Sequence, residues 1–379
     1  MIQTEPDSRK PLSGQTLVYV GTLGGDAKGI YHYRLQTDNL EVSQNITLVP
    51  LGLAAETPNP NFIELDLQRR RLFAATRVDT FNGKPGGAIS SFSIDPATGK
   101  LTLLGQSASM GIGTCWVSID DAGRFAFVAH YNSGSVAVIP VAPDGKPGPA
   151  TDFVQHSGKS VNPDRQTGPH AHCAVLDPAN RFLFVCDLGL DKVMAYRFDA
   201  EHGKLTPADP PFTATKPGAG PRHIAFLPNG RFAYLLNEID STITSMAYDG
   251  VGKLTPIETV SSLPGYYDGP NTAAEIAAHP SGKWIYASNR GNNTVILFGV
   301  DAETGKLTYI EEQGTGGKTP RHFGIQPSAK HMVIANQDSG TLLACRIDSG
   351  NGRLKPSGVF AQCPAPTCAK FLPPVGEKG

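Results

Sequence analysis

The sequence predicts an all-β fold: a seven-bladed β-propeller with four antiparallel strands per blade, its ring closed by N- and C-terminal strands that share one blade. Three observations carry this prediction. The 379 residues include 42 glycines and 31 prolines, with 40% apolar and 18% charged residues. That composition means many turns and few long helices, with enough apolar surface for a large core. A Gly-Lys-Leu-like turn recurs at Asn39-Leu40, Gly99-Lys100-Leu101, Gly145-Lys146, Gly203-Lys204-Leu205, Gly252-Lys253-Leu254, Gly305-Lys306-Leu307 and Gly352-Arg353-Leu354, roughly every 45 to 60 residues. In phase with it runs a turn, a basic residue and an alternating apolar stretch: DLQRRRLFAAT, DDAGRFAFVAH, DPANRFLFVCD, LPNGRFAYLLN, HPSGKWIYASN and QPSAKHMVIAN.

Each unit then reads as four strands. The first is the apolar run before the basic residue, such as HIAFLP at 223–228. The second starts at Arg71, Arg124, Arg181, Arg231, Lys283 or Lys330. A third follows a tight polar turn, as in SGSVAVIPV, STITSMAYD and NNTVILFGVD, and the fourth follows the Gly-Lys-Leu turn. One such sheet cannot bury both faces alone, so the units pack radially. LVYVGT (17–22) and GIYHYRL (29–35) look like second and third strands lacking a first, and TCAKFL (367–372) looks like a first strand lacking the rest. Joined, they make the seventh blade. The domain is expected to run from 16 to 373, with a flexible N-terminal tail at 1–15 and a C-terminal tail at 374–379. Three long Gly/Pro-rich loops, 79–87, 155–169 and 262–272, are candidates for contacting a ligand.

Lysine plus arginine is 33 and aspartate plus glutamate 34, a net charge of -1, which lacks the basic excess of a general nucleic-acid binder. No apolar run is long enough to cross a membrane as a helix. MIQTEPDSRKPLSGQ has no apolar core, so no signal peptide and a cytoplasmic location are expected. Cys115, Cys173 and Cys186 sit in apolar runs and read as small buried hydrophobes, while a Cys363–Cys368 disulfide is a minor alternative. There is no zinc-type CxxC pair, HExxH, GxGxxG or GxSxG, so no metal, cofactor or acyl-serine chemistry is expected.

The blade geometry places the start of each first strand and the end of each second strand at one mouth of the central channel. Nine residues before the basic positions stand Phe62, Cys115, His172, Arg222, Ala274 and Arg321, and eight before stand Ile63, Trp116, Cys173, His223, Glu275 and His322. Six residues after them stand Arg77, His130, Asp187, Asn237, Asn289 and Asn336, followed by Glu238, Arg290 and Gln337 in three blades. His170 precedes His172 in GPHAH. Together these form a cationic-leaning bowl suited to a phosphate or carboxylate. The alternative is a set of salt bridges and imidazole hydrogen bonds that tie blades together, a role that fits His223 and His322 in particular. Glu275 would stay charged if buried near arginines, and would move toward general-acid use if less well compensated.

Five segments carry a family resemblance: LVYVGT at 17–22, GPHAH at 168–172, PRHIAFLPNGRFAYLLNE at 221–238, AAEIAAHPSGKWIYASNRG at 273–291 and PRHFGIQPSAKHMVIANQ at 320–337. The chain resembles, from about 17 to 372, the seven-bladed propeller lactonases, which include bacterial 6-phosphogluconolactonases and the fungal carboxy-muconate lactonising enzyme. The resemblance implies a metal-independent enzyme acting on a lactone or its open acid at one mouth. The fungal branch's proposed His, two Arg and Glu fall on His172 (with His170 the near alternative), Arg222, Arg290 (with Arg321 open) and Glu238. Ala171 stands where the family often has proline, and Tyr266, Tyr267 and Asp268 stand where they would reshape the rim.

The expected reaction is hydrolysis of a sugar-acid lactone, 6-phosphogluconolactone first, by a monomer without cofactor. His172, or Glu238 through it, would be the base, and Arg222 and Arg290 would stabilise the oxyanion. Arg321, His322 and Arg77 would clamp the substrate's anion, with His170, His223 and Glu275 completing the binding set. The competing readings are carboxy-muconate-type lactonisation or cycloisomerisation, and a non-enzymatic propeller that binds a metabolite or a protein.

Overall fold

A computed structural model describes residues 15–37 and 46–374. Seven four-stranded antiparallel sheets surround a central channel. Blades 1 to 6 span residues 60–108, 114–155, 171–214, 221–261, 272–314 and 320–362, each with its strands in chain order from the axis outward. In blade 7 the C-terminal strand Pro366–Leu372 is innermost and pairs with Leu17–Thr22, followed by Gly29–Thr37 and Ile46–Glu56. The expected closure is therefore present, and it ties the first and last described strands into one sheet. The turn expected at Asn39-Leu40 and nearly all of both expected tails lie outside the described residues.

The two repeated patterns lock neighbouring blades together. Gly203, Gly252, Gly305 and Gly352 sit at positive φ, and a Cβ on each would come within 2.4–2.7 Å of Phe125, Phe182, Phe232 and Trp284. Those aromatics are the residues directly after the basic positions in the preceding blade, so only glycine fits the turn. The basic residues reach across as well: Arg71 donates to the Pro143 carbonyl, Arg181 to Gly250 and Arg231 to Ala302. Second-strand tyrosines do the same from beneath, Tyr19 to Gly99 and Tyr234 to Gly305.

Two differences from the expected layout bear on the site. The first strand of blade 4 is Pro221–Phe226 rather than 223–228, which makes Arg222 a strand residue. The weak Gly145-Lys146 copy leads to an outer strand of only four residues, Asp152–Gln155, and loop 155–169 follows it. All six cysteines are free and buried, so Cys363 and Cys368 are not paired. No helix among the described residues is long and apolar enough to cross a membrane.

Candidate active site

A β-bulge at the same register in every blade builds the site. The pairing of each innermost strand with its neighbour shifts at Asn61, Cys115, His172, Arg222, Ala274-Glu275, Arg321 and Thr367. A bulge sets two residues against one on the partner strand and re-aims a side chain that strict alternation would send elsewhere. Six of these bulged positions, together with Glu275, line a small chamber on the axis of about 10 Å³, joined by Phe62, His223 and His322. The register nine residues before the basic repeat is thus the bulge register in blades 2 to 6, while in blade 1 the bulge falls on Asn61, one residue before the expected Phe62.

Above this chamber lies a cavity of about 200 Å³ lined by Arg77, Cys115, Tyr131, Arg165, His172, Glu238, Arg290 and Arg321. Glu238 is its hub. Its Oε2 accepts from Arg222 Nε at 2.9 Å and lies 3.0 Å from Arg290 Nη2, while its Oε1 accepts from Arg165 Nη2 at 2.5 Å. Arg222 also donates to the Ala274 carbonyl, and Arg290 to that of Ala273 at 3.0 Å. Arg321 makes no side-chain hydrogen bond or ion pair among the described residues, which leaves its guanidinium free for a ligand. Arg77 has only Asn132, at 3.4 Å.

This charge cluster sets the protonation states. Burial alone would raise the Glu238 carboxyl, but Arg290 and Arg222 override it and hold the group far below the usual carboxylate range. Burial, then the Arg222 charge, pushes His172 well below the ordinary imidazole value, so it is neutral at pH 7. Its Nε2 stands 4.0 Å from Glu238 Oε2, and its Nδ1 is buried without a partner. Burial lowers Arg321 to about 9, helped by the neighbouring Arg222. Burial raises the Cys115 thiol to about 12, which leaves it inert.

The expected residues separate by depth. His172, Glu238, Arg290, Arg321 and Arg77 line the upper cavity. Arg222 lies beneath, 2% exposed, and lines only the inner chamber. His223, His322 and Glu275 also lie below rather than at the shared mouth, because they are one residue further along their strands. Nor does His170 line the cavity: its Nδ1 bonds the Tyr131 carbonyl at 2.7 Å and its ring stacks on Tyr131. Asp187 is fully buried and binds His156 and the backbone of His170 and Gly189, and His130 is tied to Ser135. Both are structural. Tyr266 is 75% exposed and bonds Glu312, away from the cavity.

Two cavity residues were not singled out from the sequence. Arg165 comes from loop 155–169, fastened by Gln166 to the Leu188 carbonyl and by Ser160 to Asp191. Tyr131 directly follows the blade 2 strand that ends at His130, and its hydroxyl accepts from Arg165 at 3.1 Å. The only available signal was that a long loop contained an arginine. Among the described residues no three His, Cys, Asp or Glu side chains cluster closely enough for a metal ion, and the arginines around Glu238 and His172 repel a cation.

Comparison with known proteins agrees with this architecture. Residues 17–371 match the family described as "Lactonase, 7-bladed beta-propeller". The chain is 32% identical over 356 residues to the 6-phosphogluconolactonase of Bacillus subtilis, covering 93% of this chain and 97% of that one. It is 33% identical over 278 residues to the 6-phosphogluconolactonase of Erwinia tasmaniensis, covering 73% and 79%. The solved periplasmic gluconolactonase PpgL of Pseudomonas aeruginosa superposes with a TM-score of 0.86 at 32% identity, covering 95% and 99%. That last relative overturns the cytoplasmic expectation. The fold works in the periplasm too, and a free-cysteine propeller core carries nothing that restricts it to one compartment.

Proposed function

Because the chain belongs to the seven-bladed β-propeller lactonase family, we propose that it is a lactone hydrolase whose substrate is an anionic sugar-acid lactone, 6-phosphogluconolactone first, bound in the upper cavity. One observation carries this reading: four arginines and a neutral histidine surround a single, fully ionised glutamate in a space of about 200 Å³. An anion is favoured there over a neutral ligand, and the guanidinium fork suits phosphate.

Hydrolysis needs a base for the attacking water and donors for the tetrahedral oxyanion. His172 is neutral and therefore able to take the proton. Arg290 and Arg321 face the cavity and supply donors to the oxyanion. Arg77 and Arg165 stand at the same cavity for the distal anion. Glu238 is saturated by three arginines, so its role is to fix their positions and to stabilise the imidazolium that forms 4.0 Å away. Arg222 is a positioning residue, holding Glu238 from below.

The test is an assay of freshly generated 6-phosphogluconolactone beside unphosphorylated gluconolactone, after chelator treatment, with acid release read above the spontaneous rate. The expected result is turnover that favours the phosphorylated lactone, with the preference reduced roughly 10- to 100-fold in Arg77→Ala. No acceleration of either lactone overturns the reading. Product analysis with a carboxylated muconate then separates lactonisation from simple binding.

A further inference from the structure

Glu275 has no part in the hydrolysis described above, yet it occupies the middle of the channel. Its Oε2 lies 3.2 Å from His223 Nδ1 and 3.4 Å from His322 Nε2. It lines both the inner chamber and a second cavity of about 420 Å³ that opens on the opposite mouth. The chamber also touches His172, Arg222 and Arg321, and about 10 Å³ is the space of one water molecule. A water there would give the orphaned His172 Nδ1 a partner. The His172 and His223 rings are 5.0 Å apart, centre to centre.

We propose that the propeller axis is a proton exit: the proton released by lactone hydrolysis passes from His172 through one chamber water to Glu275, and leaves by the opposite mouth. This rests on the hydrolytic reading. In the reaction one water oxygen bonds to the carbonyl carbon, the ring C–O bond breaks, and the ring oxygen takes up one proton. The acid formed then ionises, so each turnover leaves one proton to be removed. His172 returns to neutral, and Glu275 returns to carboxylate once its proton reaches solvent.

Electrostatics favours that direction. The way up is blocked by substrate and by Arg77, Arg165, Arg290 and Arg321. The way down passes Glu275 and one cation, Lys370, whose charge is paired with Glu64 at 2.8 Å. The groups around Glu275 are His223 from blade 4, His322 from blade 6, Glu64 from blade 1 and Lys370 from blade 7, with Arg222 and Arg321 across the chamber. Burial raises the Glu275 carboxyl to about 7 against the pull of Arg222 and Lys370, so it exchanges protons at neutral pH.

The experiment is steady-state lactone turnover by Glu275→Gln in dilute and in imidazole-supplemented buffer. The expected result is a kcat lowered roughly ten-fold in dilute buffer, an unchanged KM, and saturable rescue by imidazole. Ala277→Phe, which narrows the lower mouth and leaves Glu275 in place, should show the same buffer dependence. Unchanged kcat in both variants overturns the proposal, as does a loss that imidazole does not restore. If wild-type protein accelerates no lactone, the hydrolytic reading has failed, and infrared titration then decides the proton path. A carboxylic C=O band near pH 7 that Glu275→Gln removes and D2O shifts at once supports an open path. A band that does not exchange overturns it.

Discussion

The two mouths of this propeller are formed by opposite ends of the same seven strands, and they differ in almost every physical respect. The lower cavity is the larger, about 420 Å³ against 200 Å³, and it is lined mainly by Val175, Leu176, Phe226, Ile276, Phe323 and Phe371. Most of its residues come from the stretch of each innermost strand that pairs regularly with its neighbour, beyond the bulge. The upper cavity is smaller and polar: bulges in three blades aim Cys115, His172 and Arg321 into it, and the ends of second strands and the 155–169 loop add Arg77, Tyr131, Glu238, Arg290 and Arg165. Size is therefore a poor guide to chemistry here, and a backbone irregularity is a good one.

Substitution of one residue from each mouth should separate them most strongly. His172→Asn is expected to lower kcat/KM by about 10²- to 10⁴-fold, whereas Ile325→Ala at the lower mouth should stay within about threefold and alter stability instead. Equal losses would end the distinction between the mouths. Next comes the charge hub. Arg222→Ala leaves Glu238 short of a buried partner and should cost about 3 kcal/mol of stability, read as a lowered denaturation midpoint. Pairing Arg222→Met with Glu238→Gln should restore most of that stability and none of the activity. Recovery of both would make the hub purely structural.

Arg165 probes the loop's share of the bowl. Arg165→Ala should raise KM for the phosphorylated lactone roughly ten-fold and leave that for gluconolactone nearly unchanged. A matching loss with both lactones would assign Arg165 to holding Glu238 alone.

The smallest effects are those of pH on stability. His172, His223 and His322 are all lowered by burial, and His322 next by Lys370. Their stabilising contribution is complete above the unfolded imidazole value, near 6.5, and is lost as pH falls through their lowered folded values. Glu275 runs the other way. Raised to about 7, it contributes most below the unfolded carboxyl value, and that contribution is lost as pH rises toward 7. Melting temperatures of wild type and Glu275→Gln between pH 5 and 8 should therefore diverge toward neutrality, with the variant relatively more stable there. Parallel curves would mean that Glu275 does not titrate in this window.

Much of the site was legible because a propeller repeats. Once the basic residue of each unit is aligned, His172, Arg222 and Arg321 fall on one register, and Glu238 and Arg290 on another. The pairing of Arg222 with Glu238 across one hairpin follows from the same alignment. What alignment does not contain is depth. His223 and His322 sit one residue beyond the bulge, and Glu275 is the second residue of a two-residue bulge, so all three fall below the bowl, a difference set by bulge geometry rather than by residue type. Arg165 was hidden for another reason. A loop has no repeat to align against, and its position depends on hydrogen bonds to Leu188 and Asp191 in a neighbouring blade.

The number of blades, the closure of the ring and the register that brings charged residues to its axis can all be read along the chain, because repeated turns and alternating strands are local patterns whose spacing survives in one dimension. Folding in three dimensions sets which of those residues share a cavity, that Glu238 is held by three arginines, and that Glu275 stands between two chambers. Those facts depend on distances between blades, and on burial, which sets the charge each group carries.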